Sequence, residues 1–166
     1  MEHQPILALS DKRTHFLQML SANVYANMRL VIKEATHNLK KNQIPIAALI
    51  VDTLTNEIIA KAANSDSPVG HAELIVIEKA LELLDTNRLN ECDIYVSIEP
   101  CPMCAYAIKK CHFNTLYFGA EDQKGGGIIN GTQDNLKPIN HVSHIYEKET
   151  ADLLSLFFRD KRQSKV

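Results

Sequence analysis

Two short fragments, His71-Ala72-Glu73 and Pro100-Cys101-Pro102-Met103-Cys104, limit what this 166-residue chain can fold into. Cys-x-x-Cys at a helix start lets two thiolates reach one ion, and the free N–H groups of a helix N-terminus favour thiolate. His71 opens an apolar-periodic segment 30 residues before Cys101. An ion bound by both fragments requires a fold that brings two helix N-termini together. His71, Cys101 and Cys104 then supply three protein ligands for zinc, and a tetrahedral ion keeps its fourth position for water, as at a catalytic site. Glu73, two residues past His71, is close enough to move protons without being a ligand.

The remaining cysteines define a competing site. Cys92 precedes a strand and Cys111 ends a helix, so a structural site of four cysteines would have to use both without a second Cys-x-x-Cys. Each reads instead as a buried small apolar residue. A thioredoxin-like redox pair would follow the first strand, early in the chain. Met1–Ser10 has neither a basic n-region nor a long apolar h-region. The cysteines are therefore expected to be reduced thiols or metal ligands, in a cytoplasmic protein.

Hydrophobic periodicity organises the rest. Residues 1–24 are polar and mixed in charge, and read as an appendage to one domain over 25–166. Met28, Val31, Ile32, Ala35 and Leu39 predict a helix over Tyr25–Lys41. The apolar run Ile46–Val51 after Pro45 predicts a buried strand. Glu57–Ala62 is its expected hairpin partner across Thr53–Asn56. Leu74, Ile77, Leu81 and Leu84 predict a helix over His71–Leu84. Strands are expected at Asp93–Ile98, Thr115–Gly119 and Val142–Tyr146, and helices at Cys101–Lys110 and Thr150–Arg162. Pro100 and Pro102 sit at a helix entry, where proline is tolerated. Helices alternating with strands after one early hairpin imply an α/β domain of three layers with a mixed sheet of about five strands.

Composition excludes several classes. Apolar residues are 45% and charged residues 23%, which rules out a disordered tail, a collagen and a coiled coil. No apolar run approaches the ~18 residues of a membrane span, so no membrane partner is expected. The net charge of −2 argues against a large nucleic-acid footprint. Residues 42–147 hold 7 basic and 14 acidic residues, whereas the chain end carries Arg159, Lys161, Arg162 and Lys165. A basic last helix suits a phosphate backbone. It equally suits a solvated helix end, whose last turn favours cations.

The His-x-Glu and Pro-Cys-x-x-Cys pair resembles the zinc-dependent cytidine-deaminase superfamily. Within it, the chain is similar to the bacterial tRNA adenosine deaminases. The resemblance extends to N-Q-I-P-I-A-A-L-I-V (42–51), Asn64, I-Y-V-S-I-E-P-C-P-M-C (94–104), L-Y-F-G-A-E-D-Q-K-G-G-G (116–127) and F-F-R (157–159). E-P-C-x-M-C is shared with guanine and other base deaminases, whereas the G-A-x-D-x-K-G-G segment and the F-F-R helix look more like the tRNA branch. The chain departs from the family where Pro45-Ile46-Ala47-Ala48 replaces Pro-Val-Gly-Ala, where Tyr106 replaces a small residue, and where His141-Val142-Ser143-His144 replaces His-Arg-Pro-Glu. All three lie outside the zinc site and bear on RNA contacts.

The resemblance implies that residues 25–166 are a zinc-dependent deaminase domain with a three-layer α/β/α cytidine-deaminase-like fold. It also implies a bound Zn2+ and hydrolytic deamination at C6 of the wobble adenosine of tRNA. Glu73 would shuttle protons, and ammonia would leave to give inosine. Asn64 would hydrogen-bond the base with the Ala72 backbone beside it, and Asp122 and Lys124 would lie near the anticodon-loop backbone. The family also implies a homodimer, with the Cys104 helix near its interface. Competing readings stand beside these. Asn64 before Ser65-Asp66-Ser67-Pro68 is also a turn residue, and Lys124-Gly125-Gly126-Gly127 is also a flexible loop. The whole chain is alternatively a small-molecule deaminase for guanine, cytosine or a nucleotide, or a zinc-stabilised binding module, which would have no need of Glu73.

Overall fold

The computed structural model describes residues 7–163, with side chains from residue 13 onward. From Pro5 to Pro45 the chain has no glycine or proline between the two, so nothing breaks a helix once it has formed. The first helix, α1, accordingly spans Leu7–Lys40. It begins well before Tyr25, where apolar periodicity placed its start. Residues 13–22 are all exposed, so they carry no core-facing pattern for a sequence reading to find. Asn42 ends the run in a left-handed conformation, and the Asn38 side chain donates to Ile44 O at 2.7 Å.

The other elements are β1 (Ala47–Asp52), β2 (Ile58–Ala63), α2 (Ala72–Leu84), β3 (Cys92–Ile98), α3 (Pro102–Lys110), β4 (Thr115–Ala120), β5 (Asn140–Val142) and α4 (Glu147–Gln163). They form one mixed sheet in the order β2-β1-β3-β4-β5. β1 pairs antiparallel with both β2 and β3, while β3, β4 and β5 run parallel. The parallel β3–β4 step needs a crossover, and α3 supplies it.

β1 is a continuous apolar run because both sheet faces are covered. Ala47, Leu49 and Val51 pack with Met28, Val31 and Ala35 of α1. Ala48 and Ile50 pack on the other side with Ala72, Val76 and Ala80 of α2, joined by Ile108 of α3 and Phe118 of β4. α4 lies on the α1 side, against α1 and β4. The result is the expected three-layer α/β/α arrangement. Among the described residues, no helix is long and apolar enough to cross a membrane.

The last strand is the clearest departure. β5 covers Asn140–Val142, all exposed, where Val142–Tyr146 was expected. His144 and Tyr146 both have left-handed backbone, which ends extended structure, and Ile145 turns into the core instead. α4 then starts at Glu147, before the expected Thr150, whose buried hydroxyl accepts the Ala120 N–H at 2.9 Å.

Candidate metal centre and active site

His71 is the N-cap of α2 and Cys101 the N-cap of α3, both with extended backbone and neither spending its side chain on a cap hydrogen bond. Both side chains are therefore free to meet. His71 Nδ1 lies 3.4 Å from Cys104 Sγ and 3.6 Å from Cys101 Sγ. The ligand atoms of the three residues all fall within 4.8 Å of one another. With Zn–S near 2.3 Å and Zn–N near 2.05 Å, a tetrahedral ion would hold sulfur and nitrogen about 3.6 Å apart. The donor set thus fits zinc in both chemistry and spacing.

Electrostatics point the same way. Burial, with help from the neighbouring Glu73 and Cys101, pushes the Cys104 thiol up. A thiolate there needs a cation to offset that cost. Glu73 is only 3% exposed. Its Oε2 has no hydrogen-bond partner among the described residues. Burial pushes its carboxyl up to about 7, against smaller lowering effects from a backbone hydrogen bond and from Cys104. A buried carboxyl poised near neutrality beside the donor group can both take and return a proton.

Asn64 and Ala72 are tied together. Asn64 Oδ1 accepts the Ala72 N–H at 2.8 Å, capping α2 beside His71. Asn64 is itself held by Asn38 Nδ2 on its carbonyl at 2.9 Å and by its own N–H to Ile46 O. It is buried beside the start of α2, and a turn follows it through Ser65 N–H to Gly70 O. The Ala72 N–H is used by Asn64 and is not open to a ligand.

Asp122 and Lys124 lie apart from these donors. Asp122 Oδ1 accepts the N–H groups of Lys124 and Gly125 at 3.1 and 3.0 Å, so it shapes its own turn. Lys124 stands exposed on that turn. The turn nevertheless adjoins the metal loop, because the Gly127 N–H donates to Pro100 O at 2.8 Å. Sequence reasoning gave no role to Glu99, which is buried directly before Pro100 with its carboxylate bonded to the 121–129 backbone. The available signal was an acidic residue closing an apolar strand, together with the glycine triplet.

Cys92 and Cys111 sit in the core around Ile94 and Ile108, outside the donor group. Burial pushes the Cys92 thiol up to about 11. The four-cysteine alternative therefore lacks its geometry. His141 stacks on Phe118, and exposed His144 pairs with Glu121 at 3.1 Å. Tyr106 is exposed on α3, where its bulk meets no core. On α4, Arg159 is exposed 3.8 Å from Asp160, and Lys161 lies over the Phe157 ring.

The sequence model of the cytidine and deoxycytidylate deaminase zinc-binding region matches residues 22–120. A tRNA-specific adenosine deaminase of Agrobacterium fabrum is 36% identical over 160 residues, covering 91% of this chain and 97% of its own. A solved structure from studies of A-to-I editing by tRNA:A34 deaminases at the wobble position is 34% identical, with a TM-score of 0.71, over 78% of this chain and 99% of its own. The guanine deaminase of Bacillus subtilis is 32% identical, with a TM-score of 0.54, over 58% of this chain and 63% of its own.

Proposed function

The chain belongs to the cytidine and deoxycytidylate deaminase family, among its tRNA-specific adenosine deaminases, and from that membership and the geometry of the site we propose how it works. It is a zinc-dependent hydrolytic deaminase that converts the wobble adenosine of tRNA to inosine. The observation that carries the chemistry is the His71–Cys101–Cys104 donor group at tetrahedral spacing beside a buried Glu73 with an unpartnered oxygen.

His71, Cys101 and Cys104 would hold the zinc, which when bound would polarise a water and lower its pKa toward about 7. Glu73 takes a proton from the attacking water and returns it to the amino group leaving C6, so water is consumed and ammonia released. Asn64, fixed through Oδ1, turns its Nδ2 toward the base, with the Ala72 backbone alongside. The base enters flipped out of the anticodon loop, which costs little in a single strand. The Asp122 turn presents Lys124 to the loop backbone, and Arg159, Lys161 and Arg162 of α4 meet phosphates further along. Residues 25–166 form the deaminase domain and 1–24 an appendage, which the exposure of residues 13–22 and a family match beginning at residue 22 support. The protein acts as a cytoplasmic homodimer, and exposed Met103 and Tyr106 on α3 suit an interface beside Cys104.

The test is incubation of the zinc-loaded protein with an anticodon stem-loop carrying a wobble adenosine, with free guanine and with free cytosine. Inosine in the stem-loop and no turnover of either free base is the expected result. Guanine or cytosine turnover without RNA editing would establish the small-molecule alternative.

A further inference from the structure

The segment joining β4 to β5 meets α3 at both its ends, near Pro102 and at Lys109, without any helix or strand of its own. Connections of that length are mostly functional or disordered. Here one side chain from outside the segment, that of Glu99, holds both ends of its first part, beside the Asp122 turn and the Gly127 N–H to Pro100 O bond. Glu99, 3% exposed, accepts the Asp122 N–H on Oε2 at 3.0 Å. Its Oε1 accepts the N–H groups of Ile128 and Ile129 at 2.9 and 2.8 Å. A carboxylate spending its oxygens on backbone donors from both ends of one loop fixes that loop's position, not just its shape. The fit is close. A Cβ on Gly126 would collide with the Glu99 carboxylate, and one on Gly127 would come within 2.7 Å of Pro102 N and 2.9 Å of Cys101 C.

We propose that Glu99 is a positioning residue for the deamination: it pins the 121–129 segment against Pro100–Pro102 as a fixed wall of the substrate pocket. It touches neither the zinc donors nor the reacting atoms, and acts through the backbone it holds. Wall contacts away from the reacting carbon are made equally in the ground and transition states, so their loss raises KM and leaves kcat nearly unchanged. The kinetic part rests on the deaminase reading above, whereas the pinning itself does not.

The experiment uses the zinc-loaded full chain and two variants. Glu99→Gln keeps the shape and one acceptor, so it can serve Ile128 and Ile129 but sets an amide against the Asp122 N–H. Gly126→Ala leaves Glu99 intact and levers the loop off it from the other side. Hydrogen exchange at the Asp122 amide should quicken about tenfold or more in both variants. Zinc content and melting temperature should stay near the parent's. KM for the stem-loop should rise about fivefold to tenfold with kcat within about twofold. Unchanged exchange and unchanged KM in Glu99→Gln overturn the proposal. So does a joint fall of kcat, zinc content and melting temperature in both variants, which makes Glu99 a scaffold residue. A parent inactive on the stem-loop contradicts the tRNA reading alone, because exchange is measured without substrate and still decides the pinning.

Discussion

Glu73 has two separable consequences. In its proposed role as proton carrier, its replacement in Glu73→Gln should leave zinc content unchanged and lower single-turnover deamination by about 10²–10⁴. As a buried acid it also burdens the fold. Its carboxyl lies at about 7 when folded against 4.5 unfolded. The folded state therefore binds this proton more tightly, so stability is lost as pH rises from about 4.5 through 7. In zinc-free protein, Glu73→Gln should be more stable than the parent near pH 8, by about 3 kcal/mol, and equal to it near pH 4. Urea unfolding at the two pH values checks this, and a pH-independent difference contradicts it. The His71–Cys101–Cys104 donor group was legible in the sequence because zinc chemistry admits few side chains, at few spacings. Glu99 was not, because its partners are backbone N–H groups 23 to 30 residues away, which any residue type supplies.

The elements followed their causes unevenly. β1 announced itself because burial on both faces demands an unbroken apolar run. The first turns of α1 did not, because exposed helix has no periodicity to read, and β5 did not, because its three residues are exposed at a sheet edge. That exposure predicts tolerance. A chain beginning at Ser21 should keep the parent's melting temperature and zinc content, whereas one beginning at Leu30 loses Met28, fully buried against the sheet, and should lose roughly 2–5 kcal/mol. The far end of the β4–β5 crossover is tied to α3 by Lys109, Thr132 and Asp134, with Lys109 and Asp134 each 9% exposed. Hydrogen bonds from Lys109 and Thr132 hold the Asp134 carboxyl down to about 2, against an ordinary 3.8. The stabilisation from a lowered acid is present above 3.8 and lost as pH falls through about 2. Asp134→Asn should melt lower than the parent at neutral pH, and the gap should narrow below about pH 3.8 and close only as pH falls through about 2. A gap that persists there would show that the tie depends on shape and not on charge.

At the scale of the whole molecule, a net charge of −2 must serve an RNA substrate. The acidic body leaves few places for phosphate contact, and α4, with exposed Arg159 and Arg162 and half-buried Lys161, is one of them. Replacing all three with neutral residues should weaken stem-loop binding whatever its sequence and flatten its dependence on salt, since fewer counterions are released. Equal salt slopes would make that helix a solvated end. The layer order and the convergence of α2 and α3 were readable from element alternation and from two motifs. The segment between β4 and β5 was not, since its course depends on long-range ties, among them the buried Glu99 carboxylate and the Lys109–Asp134 ion pair.

The central claim joins one ion, one carboxylate and one base. Its most direct measurement is inosine formed at the wobble position of an anticodon stem-loop by protein stripped of zinc with a chelator, and again as zinc is returned. Editing should vanish on stripping and recover in proportion to zinc, levelling at one ion per chain. Editing that persists in the stripped protein, or no inosine at any zinc level, would contradict it.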